Sequence, residues 1–236
     1  MASKQIDLPE IGNITLYKRK STASIRLSIG ARGQVKVTMP YWIPYEAGVQ
    51  FAKSRRDWIL EHLDTRTSTL QHGQTIGKSH RLLFEASPVS DKVIGRVSDD
   101  IVRVTHPTAC AVSDISVQTA AEKASIRALR SQAEAELPGR LRALATMHGF
   151  EYRSVQVKQL TGRWGSCDSQ QNIIFNLFLM ELPWTLIDYV ILHELTHTNI
   201  LRHGPDFWKA MRAVLPDVQV RRKAIKAYRP AVGVQL

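Results

Sequence analysis

The segment Ile187-Asp-Tyr-Val-Ile-Leu-His-Glu-Leu-Thr-His197 decides the fold, because its composition and spacing are typical of a partly buried helix. His193 and His197 are four residues apart, so on a helix both imidazoles lie on one face and can reach a single ion. Apolar residues frame this helix: Val190, Ile191 and Leu195. A charged group without a purpose would be costly in such surroundings.

Glu194 directly follows the first of these histidines. In this pattern the carboxylate lies beside a metal-bound water, where it can take a proton as general base and deliver it to a leaving group. Zinc (Zn2+) fits two imidazoles and leaves room for a third ligand and a water. The pattern therefore predicts a catalytic zinc ion, and the alternative is a pair of structural or surface histidines on a helix.

His203 is the best candidate for the third ligand. A helix continued beyond His197 would rotate it about 240° away from the metal-facing direction, so the chain must turn first. Asn199 tolerates left-handed backbone and Gly204-Pro205 prevents the helix from continuing, although a plain loop histidine is the alternative. The spacing matches the metzincin motif, but Ile200 replaces its helix-ending glycine, so the chain is not a metzincin match.

The rest of the chain predicts an α+β protein, with a β-rich part at residues 1–110 and a part at 111–236 that carries the chemistry. The predicted strands are residues 14–17, 24–29, 34–39, 81–86, 93–97, 101–105, 155–160 and 173–177, with a hairpin turn at Ala31-Arg32-Gly33. The predicted helices are residues 46–63, 119–137, 138–149, a segment from about 184, 205–215 and a basic helix capped by Asp217.

The formal net charge of +11 favours anionic partners such as nucleic acid, nucleotides or a membrane surface. No acidic residue lies between Glu10 and Glu46, a stretch that contains Lys18, Arg19, Lys20, Arg26, Arg32 and Lys36. A second basic run near the C-terminus contains Arg221, Arg222, Lys223, Lys226 and Arg229. The alternative is a solvated basic surface, because no aromatic-interleaved nucleic-acid motif accompanies these charges in the sequence.

Cysteine content and hydropathy indicate the compartment. Cys110 and Cys167 lie far apart and form no CxxC pair, so a disulfide framework is not expected. No apolar leader opens the sequence and no apolar run is long enough to span a bilayer. We expect a cytoplasmic protein without a membrane partner, and the sequence does not indicate its oligomeric state.

Motifs along the chain resemble the YgjP-like metallopeptidase family (domain of unknown function 45). The most specific are His193-Glu-Leu-Thr-His197 and Arg202-His203-Gly-Pro-Asp-Phe207-Trp208. Others follow the family's order: Arg19-Lys20, Ser24-Ile-Arg-Leu27, Val35-Lys-Val-Thr-Met-Pro40, Arg56-Asp-Trp-Ile59, Arg163-Trp-Gly-Ser-Cys167, Asn176, Pro183 and Ile187-Asp-Tyr-Val190. Arg202 stands where the family commonly has Asn and Gly204 where it has Ser, and neither change removes a ligand.

The resemblance implies a zincin-like core with His193, His197 and His203 as zinc ligands, Glu194 as the catalytic carboxylate and a peptide or protein substrate. The family is more distantly similar to SprT-like proteases, which act on protein bound to DNA. In zincins an edge strand near the active-site helix pairs with extended peptide, and residues 155–160 or 173–177 could serve here.

Three further residues are candidates for supporting the ligands or lining a substrate cleft. Trp164 could wall a cleft, or it could be the buried ring of a structural turn that also contains Cys167. Asp188 could orient a ligand imidazole, or it could be a solvated acid near the helix start. Trp208, with Phe207, could pack the helix after His203 and so hold that ligand in place.

Two other functions stay open beside a zinc peptidase. The same metal site could hydrolyse a nucleotide phosphoanhydride, although the sequence has no Walker-type phosphate loop. A DNA-associated protein with a structural zinc is the non-catalytic alternative. Glu194 argues against that reading, because a structural site needs no base and usually has four protein ligands.

Overall fold

The structure is a computed structural model that describes residues 3–29, 34–64, 69–228, 230 and 232. The chain divides into two compact units, Met1–Thr69 and Leu70–Leu236. The hairpin turn predicted at residues 31–33 and Arg229 of the C-terminal basic run lie outside the described residues.

The first unit is a four-stranded sheet with two helices. Its elements are β1 (Ser3–Leu8), β2 (Gly12–Arg19), β3 (Arg26–Ile29), β4 (Val35–Pro40), α1 (Tyr45–Ser54) and α2 (Arg56–Asp64). The strand order is β1-β2-β4-β3, and β2 and β4 are parallel while the other pairs are antiparallel. Alternate strand residues such as Leu16 and Val37 are buried in one core with Ala52 and Ile59 of the helices. The single helix predicted here is broken at Arg55, whose backbone is not helical.

The second unit contains two sheets and four α-helices among its described residues. The first sheet has the order β5-β6-β8-β7 and comprises β5 (Thr75–Ile76), β6 (His80–Ser87), β7 (Ile94–Val97) and β8 (Ile101–Pro107). The second has the order β10-β11-β9 and comprises β9 (Ser154–Lys158), β10 (Gly165–Cys167) and β11 (Asn172–Asn176). The helices are α3 (Ile115–His148), α4 (Trp184–His197), α5 (Pro205–Val214) and α6 (Val218–Ala227), and a 3-10 helix spans Leu177–Glu181.

Helix α3 runs without a break through Pro138, so the prediction of two helices divided there is wrong. The reason is burial on one face, because Ala133, Leu137, Leu141 and Ala145 are buried at intervals of four on both sides of the proline. Residues 134–136 are exposed, so water can reach the carbonyl that loses its partner to the proline. Gly149, the last residue of the predicted second helix, ends α3 in left-handed conformation.

The boundary between the units lies between Thr69 and Leu70, whereas the sequence placed the division near residue 110. The difference has a packing reason, because Val102 and Val104 of β8 share one core with Ala121 and Ala124 of α3. The strand-rich segment after residue 69 therefore packs with the C-terminal helices.

The arrangement confirms the predicted α+β class, with β sheets in the N-terminal part followed by helices. Among the described residues, no helix combines the length and apolar character needed to cross a membrane. The cytoplasmic location stays a prediction.

Candidate metal centre

Three imidazoles converge at the C-terminal end of α4. His193 and His197 extend from one face of the helix, and His203 comes from the connection to α5. The Nε2 atom of His203 lies 3.0 Å from that of His197 and 2.9 Å from that of His193. One nitrogen of each ring lies within 4.8 Å of the others, so the group could hold one metal ion.

The protonation of these rings suits a metal ligand set. Burial lowers the pKa of His193 to about 3, and His197, His203 and Arg222 act in the same direction. Burial also lowers the pKa of His197. Its Nδ1 lies 3.0 Å from the carbonyl oxygen of Ile200, which can only accept a hydrogen bond, so Nδ1 carries the proton and Nε2 keeps its lone pair. Nitrogen ligands of one tetrahedral zinc lie about 3.3 Å apart, so the donor set fits such an ion.

A short turn brings His203 back towards the helix. Ile200 N donates to Thr196 O at 3.0 Å, and Pro205 then occupies the first turn of α5. Positive φ angles occur at only two described non-glycine residues, Glu10 and Gln171. The turn is therefore present without left-handed backbone at Asn199, although asparagine would tolerate it.

Aromatic rings from α5 surround the three imidazoles. Phe207 is fully buried, and its ring centroid lies 4.9, 4.6 and 4.7 Å from those of His193, His197 and His203. Trp208 stacks on His203 with centroids 5.9 Å apart and an interplanar angle of 21°. The Arg222 guanidinium lies 4.3 Å from the Trp208 ring centroid. His203 is exposed, and two rings from the next helix pack against it.

Glu194 is buried beside the strand β10. Burial raises the pKa of its carboxyl to about 8, and the charge of Arg163 acts in the opposite direction. A Cβ atom placed on Gly165 would lie 2.9 Å from both Cγ and Oε1 of Glu194, closer than real Cβ contacts. The missing side chain is therefore what lets β10 pass so close to the carboxylate. Sequence reasoning missed this role, although the glycine in Arg163-Trp-Gly-Ser-Cys167 was the available signal.

The edge strand beside α4 is β10, which is not among the predicted strands. Trp164 O accepts a hydrogen bond from Asn176 N at 2.9 Å, and Asp168 N donates one to Asn172 O at 3.1 Å. The backbone groups of Trp164 and Asp168, on either side of β10, therefore face β11. Gly165 and Cys167, at the alternate positions, direct their backbone groups away from β11. The segments predicted to pair with substrate are β11, the central strand, and β9, the opposite edge.

The fully buried side chain of Asn176 organises the loop that leads into β10. Its Nδ2 donates to Leu160 O at 3.0 Å and to Arg163 O at 2.9 Å, and its Oδ1 accepts from Phe178 N at 3.4 Å. A buried amide with these partners fixes the loop and hence the approach of the strand to Glu194.

Two predicted supporting residues have partners away from the imidazoles. Asp188 accepts hydrogen bonds from Nε and Nη2 of Arg140, the latter at 2.7 Å, and so joins α4 to α3. The Trp164 ring packs edge-on against Tyr228, with centroids 6.3 Å apart. Within the described part of the chain, the buried Nδ1 of His193 has no hydrogen-bond partner.

Cys167 is half-buried in the same strand. Burial, reinforced by the charges of Glu194 and Asp168, raises the pKa of its thiol to about 11. Among the described residues, the group that could hold a metal ion consists of the three histidines and does not include this thiol.

The comparisons with known proteins agree with this geometry. No curated protein and no solved structure matches the chain significantly. The profile of the YgjP-like, metallopeptidase domain matches residues 23–228, a range that contains every side chain of the candidate metal centre. Metallopeptidases need a metal ion, and the three histidines are a group that could bind one. Because the match covers most of its length, this chain belongs to the YgjP-like metallopeptidase family.

Proposed function

We propose that the chain is a zinc-dependent peptidase with a zincin-like core, in which His193, His197 and His203 hold the ion and Glu194 is the catalytic carboxylate. The observation that carries the proposal is the convergence of three Nε2 atoms at the helix that also contains the buried Glu194. Three imidazoles leave a zinc coordination position open, which is the arrangement of catalytic rather than structural sites.

The chemistry follows from the residues around that position. A zinc ion held by these histidines would acidify a water molecule and polarise a carbonyl group. Glu194 takes the proton of the nucleophilic water and returns it to the leaving amine. Burial raises the pKa of the Glu194 carboxyl to about 8, and the charge of Arg163 favours its ionised form.

The open edge of β10 provides a place for an extended peptide. The backbone groups of Gly165 and Cys167 point away from β11 and can pair with a substrate strand. A substrate strand on this edge passes Glu194, because Gly165 lies against that carboxylate. Main-chain pairing of this kind selects for an extended backbone and leaves side-chain preference open.

A second candidate is hydrolysis of a nucleotide phosphoanhydride at the same metal. Two arginines support it, because the charge of Arg163 acts on Glu194 and that of Arg222 acts on His193. Cations near a hydrolytic centre would suit a substrate with phosphate groups.

The DNA-associated protein with a structural zinc has less support, since a structural site makes no use of a buried carboxylate beside the metal.

The test compares the wild type with Glu194→Gln, which keeps the size of the side chain and removes the base. We expect both proteins to bind one zinc, measured by metal analysis, and only the wild type to cleave a peptide library. Peptide cleavage by Glu194→Gln at the wild-type rate would refute the assignment. Cleavage of nucleoside triphosphates but not of peptides would favour the second candidate.

Retention of a full zinc equivalent by His203→Ala would refute the three-histidine site.

A further inference from the structure

The N-terminal unit carries a cluster of aromatic and basic side chains that the metal centre does not use. Arg19 pairs with Pro40 in the parallel register of β2 and β4, so the two strands end side by side. Lys20 follows one strand and Tyr41 and Trp42 follow the other. We call this end of the sheet the aromatic–basic cluster, which consists of Lys18, Arg19, Lys20, Tyr41, Trp42 and Tyr45.

Two adjacent rings of the cluster face solvent. Tyr41 is 55% exposed and Trp42 is 59% exposed, and their centroids lie 5.1 Å apart at an interplanar angle of 88°. Large apolar groups exposed together commonly mark a binding surface. Each ring also has one polar atom that can form a hydrogen bond, which suits a partner with both apolar and hydrated groups.

Basic side chains lie at the Tyr45 ring and at the end of β2. Lys18 Nζ lies 4.5 Å from the Tyr45 ring centroid, and Lys4 Nζ lies 5.7 Å from it on the neighbouring strand β1. Arg19 and Lys20 are exposed. The sequence between Glu10 and Glu46 has no acidic residue, and Glu46 in the first turn of α1 is the acid next to the cluster in the chain. Folding therefore brings Lys18 against Tyr45, and it places Arg19 beside Pro40, the residue that precedes Tyr41 and Trp42.

Exposed aromatic faces among cations are the recognition chemistry of single-stranded nucleic acid, whose bases stack on rings while its phosphates contact lysine and arginine. A membrane surface fits less well, because insertion needs an apolar face that includes aliphatic side chains. In the described part of this unit, the exposed large apolar residues are Tyr41, Trp42 and Trp58, and none is aliphatic. We propose that the aromatic–basic cluster binds single-stranded nucleic acid, with bases on Tyr41 and Trp42 and phosphates on the basic members.

The experiment measures binding of the full chain to a fluorescently labelled oligothymidylate of about 20 nucleotides, longer than the sites of typical single-strand binding domains. We expect Tyr41→Ala/Trp42→Ala to weaken binding about tenfold or more, because stacking is lost. We expect Arg19→Glu/Lys20→Glu to weaken binding and to reduce its dependence on salt. Lys123→Glu/Arg142→Glu on α3 makes the same change in charge and should have a smaller effect.

Tryptophan fluorescence gives a second readout at the ring itself. Stacking of bases on Trp42 should quench part of the protein's emission, and Trp42→Phe should remove that quenching while retaining most of the affinity. Trp58→Phe, in the same unit, should leave the quenching unchanged. Thermal unfolding of each variant checks that the fold is intact.

Three results would overturn the proposal. The first is equal affinity for the single strand and for a duplex, whose base faces are hidden. The second is wild-type affinity in the Tyr41→Ala/Trp42→Ala variant. The third is binding of the cluster to vesicles of anionic lipid without binding to the oligonucleotide, which would identify a membrane surface instead.

Discussion

The three histidines of the candidate metal centre reach it by different physical means. His193 and His197 lie on α4, whose backbone hydrogen bonds and buried apolar face fix their direction. His203 lies on an exposed connection and is held by rings of α5, with Phe207 at 4.7 Å and Trp208 at 5.9 Å between centroids. Local structure thus sets the direction of the two helix histidines, whereas the position of the loop histidine depends on tertiary packing.

The difference implies that substitutions in α5 and substitutions in β10 should impair different properties of the site. Substitution of the aromatic residues of α5 should weaken metal binding by displacing His203. Substitutions in β10 should displace the Glu194 carboxylate and leave the three histidines in place. Four variants test this division, in order of the expected size of the effect.

Phe207→Ala should have the largest effect, because it removes a fully buried ring that contacts all three imidazoles. We expect the free energy of unfolding to fall by about 3–5 kcal/mol, measured by urea unfolding in the presence of a chelator. Zinc affinity, measured by competition titration, should fall as well. Phe207→Leu provides a milder change if the alanine variant does not fold.

Phe178→Ala is the matched control for this variant, since Phe178 is equally buried in the same core but belongs to the 3-10 helix. It should lose similar stability and keep its zinc affinity. Equal loss of zinc affinity in both variants would contradict the view that Phe207 supports the ligands directly.

Gly165→Ala should separate activity from metal binding. The new methyl group would lie 2.9 Å from Oε1 of Glu194, so the carboxylate must move while the histidines need not. We expect kcat to fall about 100-fold, or about 2.7 kcal/mol in transition-state stabilisation, with a full zinc equivalent retained. Gly139→Ala in α3 is the control, because a Cβ there meets nothing within 4 Å. Undiminished kcat in Gly165→Ala would show that the contact is unimportant.

Trp208→Leu should weaken zinc binding about tenfold, because the ring that stacks on His203 is lost while the helix ligands remain. Trp164→Leu is the comparison, since that ring packs against Tyr228 instead. We expect no change in zinc affinity for Trp164→Leu. Similar zinc affinities for the two variants would mean that Trp208 does not position the loop ligand.

Asp188→Asn should have the smallest effect. It weakens a half-exposed ion pair with Arg140, and the expected loss of unfolding free energy is at most about 1 kcal/mol. Zinc affinity should stay at the wild-type value. A loss of affinity as large as that of Trp208→Leu would instead support the alternative in which Asp188 orients a ligand imidazole.

Local rules predicted the helix side of the site better than its surroundings. The four-residue spacing of His193 and His197 placed both on one face of α4, and the family and the α+β class are confirmed. A single-residue rule failed at Pro138, where the buried face of α3 outweighs it. The contact of Gly165 with Glu194 joins segments far apart in the chain, so no periodicity could indicate it.

The length of α3 has a consequence for how the second unit opens. Its 34 residues extend over about 50 Å, and its buried face shares a single core with β6, β8 and α4. These elements share one continuous core. Amide hydrogens of β6 and β8 should therefore exchange with solvent through the same cooperative opening as those of α4. Zinc that binds only the closed form should therefore slow exchange in strands that never touch the ion.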